Sequence, residues 1–113
     1  MIPKPVAYIY LIRNSVTGKV YVGATKLNIR TRFSTHMGSM KYNKPGINAN
    51  MYNDYKMYGS GSFTVELIEN IYDYGDVKEI EQYWIEKMKQ KGICYNINDS
   101  AYSLWKSYII EKP

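Results

Sequence analysis

Residues 7–23 carry the strongest structural signal in the chain, and they read AYIYLIRNSVTGKVYVG. Two runs within them, 7–12 and 19–23, are rich in the β-branched and aromatic residues that favour β-strands. Between these runs, residues 14–18 supply the Asn, Ser, Thr and Gly that favour a turn. We therefore predict an antiparallel β-hairpin with a long loop at the start of the fold.

Two helices are predicted after the hairpin, because the apolar residues now recur every three or four positions. The first follows Asn28, a good N-cap residue, and ends before Pro45-Gly46. Its apolar stripe consists of Ile29, Phe33, His36, Met37 and Met40. The second helix ends at Gly59. Its apolar stripe consists of Met51, Tyr52, Tyr55 and Tyr58.

The rest of the chain predicts a third strand and a long helix. Residues 63–68 alternate between apolar and polar side chains, as strands with one buried face do. Asp76 and Glu79 have the spacing of a capping box, which opens a helix that runs to about Lys91 and closes at Gly92. The apolar face of this helix consists of Val77, Ile80, Trp84, Ile85 and Met88.

The predicted order of elements is therefore β-β-α-α-β-α, without repeats or an obvious linker. We predict an α+β fold in which a small three-stranded antiparallel sheet is flanked by helices. No Gly-rich loop joins a strand to a helix, which excludes the dinucleotide-binding folds. We assign residues 1–97 to one domain that ends in a short extended piece, 95–97, and residues 98–113 to a C-terminal extension of uncertain structure.

Composition narrows the class of protein. The chain has 113 residues, 45% of them hydrophobic, which suffices for one domain with a buried core. Cys94 is the single cysteine, so an internal disulfide is excluded and a cysteine-based zinc site is disfavoured. No stretch approaches the roughly 20 apolar residues of a membrane span, and residues 1–5 do not begin a signal peptide. We therefore expect a cytoplasmic protein with no membrane partner.

The charge distribution favours an anionic partner. The net charge is +5, from 15 Lys and Arg against 10 Asp and Glu. Residues 13–44 include seven basic side chains and no acidic one. This segment is either a solvated basic surface or a surface that faces the phosphates of a nucleic acid. Under the second interpretation, Lys26 and Arg30 are candidates for gripping phosphates.

Glu81 contradicts the pattern of the residues around it. At about 100° per residue it projects about 40° from Val77, so its carboxylate lies within the apolar face of the last helix. An unpaired buried charge is costly, so Glu81 needs a cation, strong hydrogen bonds or water. The pattern alone allows an ion pair with a Lys or Arg from another element, or a metal ligand at a cleft. A single carboxylate that leaves room for several waters suits Mg²⁺ at a phosphate.

Five other residues have weaker signals. Arg32 and His36 are four positions apart on the first helix, so their side chains reach the same place. His36 alone fits a hydrogen-bonded core residue, but the adjacent guanidinium resists full burial and can grip a phosphate in forked geometry. Tyr21, like Tyr10 and most other strand tyrosines, fits a packing position. Gly23 indicates that some group comes close to the backbone just after Tyr21.

The hairpin motifs resemble the signature of the GIY-YIG nuclease superfamily. Tyr8-Ile9-Tyr10, a gap of ten residues and Tyr21-Val22-Gly23 resemble the two tripeptides that name this family, with Tyr8 in place of the first glycine. Further along, Arg32 and His36 match the family's helix motif. The resemblance spans about residues 7–97 and is closest to the catalytic domains of phage-type homing endonucleases.

Two later residues also match the family. Glu81, in Glu81-Gln82-Tyr83-Trp84-Ile85, resembles its metal-binding glutamate, and Asn96, in Tyr95-Asn96-Ile97, resembles its late asparagine. The resemblance implies a DNA endonuclease that hydrolyses phosphodiester bonds with Mg²⁺ or Mn²⁺ bound at Glu81. The candidate catalytic residues are Tyr10, Tyr21, Arg32, His36, Glu81 and Asn96. The candidate DNA contacts are Gly23, Lys26, Arg30 and Arg32.

The resemblance also suggests a role for each catalytic candidate. Tyr10 would act as general base for the attacking water, with His36 accepting or relaying the proton. A phenol needs nearby positive charge for this, which Arg32 or water bound to the metal would supply. Arg32 would also stabilise charge on the phosphate. Tyr21 would orient water or a phosphate oxygen. We expect Asn96 to fix a neighbouring backbone or side chain rather than touch the substrate.

Several alternatives stay open at this point. The chain is either an excised catalytic domain that works with a separate DNA-binding domain, or a minimal nuclease, and double-strand cleavage would require a dimer on DNA or two successive events. Homing, restriction and repair nucleases differ mainly in their appended domains. A noncatalytic nucleic-acid-binding module of the same fold and a protein-interaction domain are the two rival functions. The resemblance places the protein in a phage or a bacterial host cell.

Overall fold

The computed structural model describes residues 2–96 and contains a three-stranded antiparallel sheet with helices on both faces. The strands are β1 (Ala7–Asn14), β2 (Val20–Thr25) and β3 (Phe63–Ile71). The helices are α1 (Ile29–Lys41), α2 (Ala49–Tyr58) and α3 (Val77–Gln90). Short 3₁₀ turns, Ser60–Ser62 and Tyr74–Asp76, precede β3 and α3. This confirms the predicted α+β class and the order β-β-α-α-β-α.

The strand order is β2-β1-β3, so the hairpin strand β1 lies in the centre of the sheet. In the β1–β2 ladder, Tyr10 is opposite Gly23 and Ile12 is opposite Tyr21. The β1–β3 ladder contains a bulge, because Ile9 pairs with Glu69 while Tyr10 pairs with Leu67. β3 extends three residues beyond the predicted end at position 68, and the bulge interrupts the regular alternation of its buried and exposed side chains.

Two apolar clusters hold the helices on opposite faces of the sheet. One lies between the sheet and α3, and its buried members are Ala7, Ile9, Leu11, Val20, Val22, Ala24, Ile71, Val77, Ile85 and Met88. The other lies between the sheet and helices α1 and α2, and its buried members are Tyr10, Ile12, Met40, Met51, Phe63 and Tyr95. Since alternate side chains of a strand point to opposite faces, β1 contributes to both clusters.

The helix ends agree with the predictions except at α3. Asn28 accepts a hydrogen bond from the Arg30 N–H at the start of α1, as expected of an N-cap. Gly59 ends α2 with a φ of 83°, a conformation that favours glycine. The predicted capping box was wrong, because the Asp76 side chain makes no capping hydrogen bond. The 3₁₀ turn leads directly into α3, so Asp76 has helical backbone angles and its side chain does not reach back to the helix start.

The last described residues return to the sheet. Cys94 forms a parallel bridge with Val20, so the chain runs along the outer edge of β2. Ile97, the segment around Leu104-Trp105 and the proposed domain boundary at residue 97 lie outside the described residues. Within residues 2–96 we find no helix whose length and hydropathy would suit a bilayer span.

Candidate active site

The hairpin places two tyrosines beside one glycine. Gly23 is the direct cross-strand partner of Tyr10, and the Tyr10 ring covers its backbone. A Cβ atom at position 23 would overlap the phenol of Tyr10, so this position requires glycine. The predicted close approach to the Gly23 backbone is therefore confirmed. The approaching group is the Tyr10 ring, and a DNA contact at Gly23 stays a prediction.

Tyr10 and His36 form a hydrogen bond at the centre of the site. The phenol oxygen and Nε2 of His36 are 2.8 Å apart. Burial raises the pKa of Tyr10, and burial followed by the charge of Arg32 lowers the pKa of His36 to about 3. The phenol is therefore protonated and the imidazole neutral near pH 7, so the Tyr10 hydroxyl donates and Nε2 accepts. The proton of the pair rests on Tyr10 in the free protein.

Tyr21 completes an aromatic cluster around the imidazole. Its ring centroid is 5.1 Å from that of His36 in an edge-on arrangement, and the Tyr10 ring is at 5.9 Å. Burial, and then the negative charge of Glu81, raises the pKa of Tyr21. The structure thus brings together the two strand tyrosines that the sequence alone could not distinguish from packing residues.

Arg32 lies one turn before His36 on α1 and is partly buried. Its positive charge opposes the pKa shift that burial imposes on Tyr10, but burial is the larger effect. In the free protein, therefore, Arg32 does not cancel the effect of burial, and the role of Tyr10 as general base stays a prediction. Among residues 2–96, no carboxylate lies within ion-pair distance of Arg32. The guanidinium can therefore bind an external anion without first breaking an ion pair.

Glu81 is the most unusual residue of the site. Its side chain is 1% exposed, and neither carboxylate oxygen has a hydrogen-bond partner among the described residues. Burial raises the pKa of Glu81 from 4.5 to about 7. Its charge also raises the pKa of Tyr21 and, more weakly, of Tyr10, so the carboxylate interacts electrostatically with both phenols. The ion pair that the sequence left open does not exist within residues 2–96, so the carboxylate can accept an outside cation.

Asn96 binds the backbone of β2. Its Oδ1 accepts from the Val22 N–H at 2.9 Å, and its Nδ2 donates to the Val22 carbonyl at 3.0 Å. The amide thus replaces a neighbouring strand on the outer edge of β2, next to Tyr21. This geometry agrees with the expectation that Asn96 fixes a neighbouring backbone.

The two remaining basic candidates lie farther from this cluster. Arg30 is exposed, and at about 100° per residue it projects from α1 about 160° away from Arg32. The structure therefore does not bring Arg30 to the catalytic residues. The Lys26 ammonium lies 5.7 Å from the centroid of the Tyr74 ring, in the turn that precedes α3. Lys26 is thus located at the N-terminal end of α3.

Sequence reasoning missed the hydrogen bonds that hold the end of the described chain. The Tyr95 hydroxyl donates to Asp54 of α2 and accepts from Asn14 of β1 at 3.1 Å. Asn48, the N-cap of α2, donates to the Tyr95 carbonyl at 2.8 Å. These contacts position Asn96, the next residue. The partners are 41 to 81 positions away from Tyr95, so no local pattern could have found them.

Comparisons with known proteins support this fold. Two similar solved structures are a variant of the catalytic domain of the intron endonuclease I-TevI and the catalytic domain of the homing endonuclease I-TevI. The first is 26% identical with a TM-score of 0.72, covering 82% of this chain and 94% of that one. The second is 25% identical with a TM-score of 0.70, covering 81% and 98%. No curated protein sequence matches the chain. The model of the GIY-YIG catalytic domain matches residues 6–96, and the chain therefore belongs to the GIY-YIG nuclease family.

Proposed function

We propose that this chain is a divalent-metal-dependent DNA endonuclease that hydrolyses phosphodiester bonds, of the homing-endonuclease type. The observation that carries the proposal is the buried carboxylate of Glu81, which has no hydrogen-bond partner among residues 2–96 and whose charge acts on Tyr10 and Tyr21. Membership of a nuclease family and similarity to a homing endonuclease support it. Burial disfavours the ionised form of this carboxylate, and a bound cation would offset that cost.

The residues present fit one hydrated divalent ion at a phosphate. Within residues 2–96, no group of three or more His, Cys, Asp and Glu side chains could enclose a metal. Mg²⁺ commonly takes only one or two carboxylates and completes its shell with waters and substrate phosphates. Both oxygens of Glu81 are available for this arrangement. The ion, when bound, would neutralise charge on the phosphate and the leaving oxygen.

Tyr10 and His36 would handle the proton of the attacking water. In the free protein, the phenol already donates to Nε2 of His36. As the phenol passes its proton to Nε2, its oxygen can accept one from water, so the pair acts as a single relay. A bound phosphate raises the pKa of His36, because negative charge favours the imidazolium. The relay is therefore weak without DNA and becomes effective when DNA binds.

Arg32 and Tyr21 would act on the phosphate itself. The Arg32 guanidinium projects from the same flank of α1 as His36 and can donate two parallel hydrogen bonds to phosphate oxygens. This interaction would strengthen as charge develops on those oxygens in the transition state. The Tyr21 hydroxyl, whose ring packs edge-on against the imidazole, would orient water or a phosphate oxygen. Asn96 would keep β2, and with it Tyr21, in place.

Plasmid nicking with purified protein tests the proposal. Nicking should occur with Mg²⁺ or Mn²⁺ and stop in EDTA, and Glu81→Ala should abolish it. Glu86→Ala is the matched control, because Glu86 is exposed on the same helix. Mg²⁺ should also raise the unfolding temperature of the wild type at pH 8 and not that of Glu81→Ala. Nicking that persists in EDTA or in Glu81→Ala would contradict the assignment of Glu81 as the metal ligand.

The number of active sites determines how many strands are cut in one event. One such cluster cuts one strand, so we propose that double-strand cleavage needs two copies on DNA or two successive events. Target choice would come from a separate DNA-binding domain. If the wild type binds duplex DNA in a gel shift but never nicks it, the noncatalytic binding module is the better description. If it neither binds nor nicks, the protein-interaction domain is.

A further inference from the structure

Two lysines lie on the same flank of α3 as seen from Glu81. Lys78 is three residues before Glu81 and Lys89 eight residues after it. At about 100° per residue, Lys78 and Lys89 project about 60° and about 80° to one side of Glu81. They therefore form one row that is about 16 Å long, with Glu81 beside it. Glu79 and Glu86 project farther round the helix, at about 160° and about 140° from Glu81.

This flank of α3 faces the edge of β2. Trp84 projects to the opposite side of Glu81, and its indole N–H donates to Glu69 of β3 at 2.8 Å. Burial raises the pKa of the Cys94 thiol, and the nearby Lys89 ammonium partly offsets that shift. Cys94 is itself paired with Val20 on β2. Since β2 and β3 are the two edges of the sheet, the lysine row lies along the β2 edge, where Tyr21 is located.

We propose that Lys78 and Lys89 are DNA-positioning residues that bind backbone phosphates on either side of the phosphate at Glu81. This inference rests on the proposed nuclease function. Along the helix axis, Lys78 is about 4.5 Å from Glu81 in one direction and Lys89 about 12 Å in the other. Phosphates of one strand succeed each other at about 3.4 Å along the duplex axis, so both ammonium groups lie within about four nucleotides of the reacting phosphate.

The row gives the site a second basic wall. Arg32 belongs to α1, whereas Lys78 and Lys89 belong to α3. Lys26 lies against Tyr74, in the turn that precedes Lys78. The sequence concealed the wall, because the two lysines alternate with acidic residues along the chain and the acid-free segment ends well before them.

Lys87 provides a matched control on the same helix. It projects about 120° from Glu81 on the side opposite to the lysine row. Its ammonium lies 5.7 Å from the Tyr83 ring and 5.1 Å from the Trp84 ring, so it belongs to the outer face of α3. Lys87→Gln changes the net charge by the same amount as Lys78→Gln or Lys89→Gln. Differences among the three variants therefore report position and not total charge.

Fluorescence anisotropy with a labelled mixed-sequence duplex in EDTA, over a range of salt concentrations, tests the proposal. The logarithm of the binding constant K falls as log salt rises, and each lost phosphate contact should make this slope shallower by about 0.9. The double variant Lys78→Gln/Lys89→Gln should therefore make the slope shallower by about 2. Lys87→Gln should change the slope much less. In nicking assays with Mg²⁺, the double variant should raise KM several-fold and leave kcat nearly unchanged. Lys89→Arg should restore binding, which a mere loss of packing at this partly buried position would not predict.

Equal salt slopes for the double variant and Lys87→Gln would overturn the proposal. A fall in kcat without a change in KM would overturn it too, because a positioning role acts on binding. Unfolding temperatures of all variants show whether a loss of folding explains a loss of binding. If it does, the double variant Lys78→Arg/Lys89→Arg, which keeps both charges, is compared with the wild type in the same binding assay. Failure of the wild type to bind any duplex would refute the proposed function itself, and this result is distinct from the other two.

Discussion

Replacing Glu81 with glutamine should stabilise the metal-free protein by about 3 kcal/mol above pH 7 and leave its stability unchanged near pH 4.5. Burial raises the pKa of Glu81 from 4.5 to about 7. The unfolded chain therefore releases this proton near pH 4.5, and the folded protein holds it until about pH 7. The free energy of unfolding falls as the pH rises through this window and stays lower above it. At about 1.4 kcal/mol per pKa unit, the full loss is about 3 kcal/mol.

His36 has the opposite effect on the same protein. Its pKa is lowered from 6.5 to about 3, first by burial and then by Arg32. The unfolded chain therefore takes up a proton that the folded protein refuses, and stability rises as the pH increases from about 3 to 6.5. The two trends oppose each other between pH 4.5 and 6.5, so the wild-type profile alone does not isolate Glu81. The difference between the wild type and Glu81→Gln does, because His36 contributes to both.

Urea unfolding in EDTA at a series of pH values from 4.5 to 8.5 measures this difference, with equal m-values as the check on two-state behaviour. Glu86→Gln, on the exposed side of the same helix, is the control and should follow the wild type. Equal stability of the wild type and Glu81→Gln at pH 8 would refute the reasoning, since it would mean that the buried carboxylate is fully compensated. A loss of several kcal/mol in the variant would point to an ion pair instead.

Three further substitutions test the geometry of the site. Gly23→Ala should lower the free energy of unfolding, measured by chemical denaturation, by about 1–3 kcal/mol, because the added methyl group meets the Tyr10 ring. Little of that loss should remain in a Tyr10→Ala background, where the ring is absent. Asn96→Ala should lower the free energy of unfolding by about 2–3 kcal/mol in the same assay, since it removes the partner of the Val22 N–H and C=O groups. A loss below about 0.5 kcal/mol, typical of a surface substitution, would argue against the role of Asn96 in holding β2. Tyr10→Phe should change the free energy of unfolding by no more than about 1 kcal/mol. It should reduce the nicking rate by about 100-fold or more, because His36 loses the phenol from which it takes a proton. An unchanged nicking rate would remove Tyr10 from the mechanism.

Local patterns predicted the elements and part of the site. The hairpin, the helix stripes, the Asn28 cap and the glycine that ends α2 all depend on residues within a few positions of each other. The predictions failed at the 3₁₀ turn, which leads directly into α3 in place of the expected cap, and in β3, where a bulge interrupts the expected alternation. The partners of Tyr95 on α2 and β1 follow no local pattern, because only the packing of the helices on the sheet brings them together.

The sequence by itself determined that Glu81 lies in an apolar helix face and that Arg32 and His36 share one side of α1, because the helical period fixes which neighbours share a face. The tertiary structure decided that Glu81 has no ion-pair partner among residues 2–96. It also decided that the phenol of Tyr10 both covers Gly23 and donates to His36. The exposed side chain of Arg30 projects away from Arg32 on α1. These outcomes depend on strand register and on how the helices pack against opposite faces of the sheet, and residues distant in sequence set both.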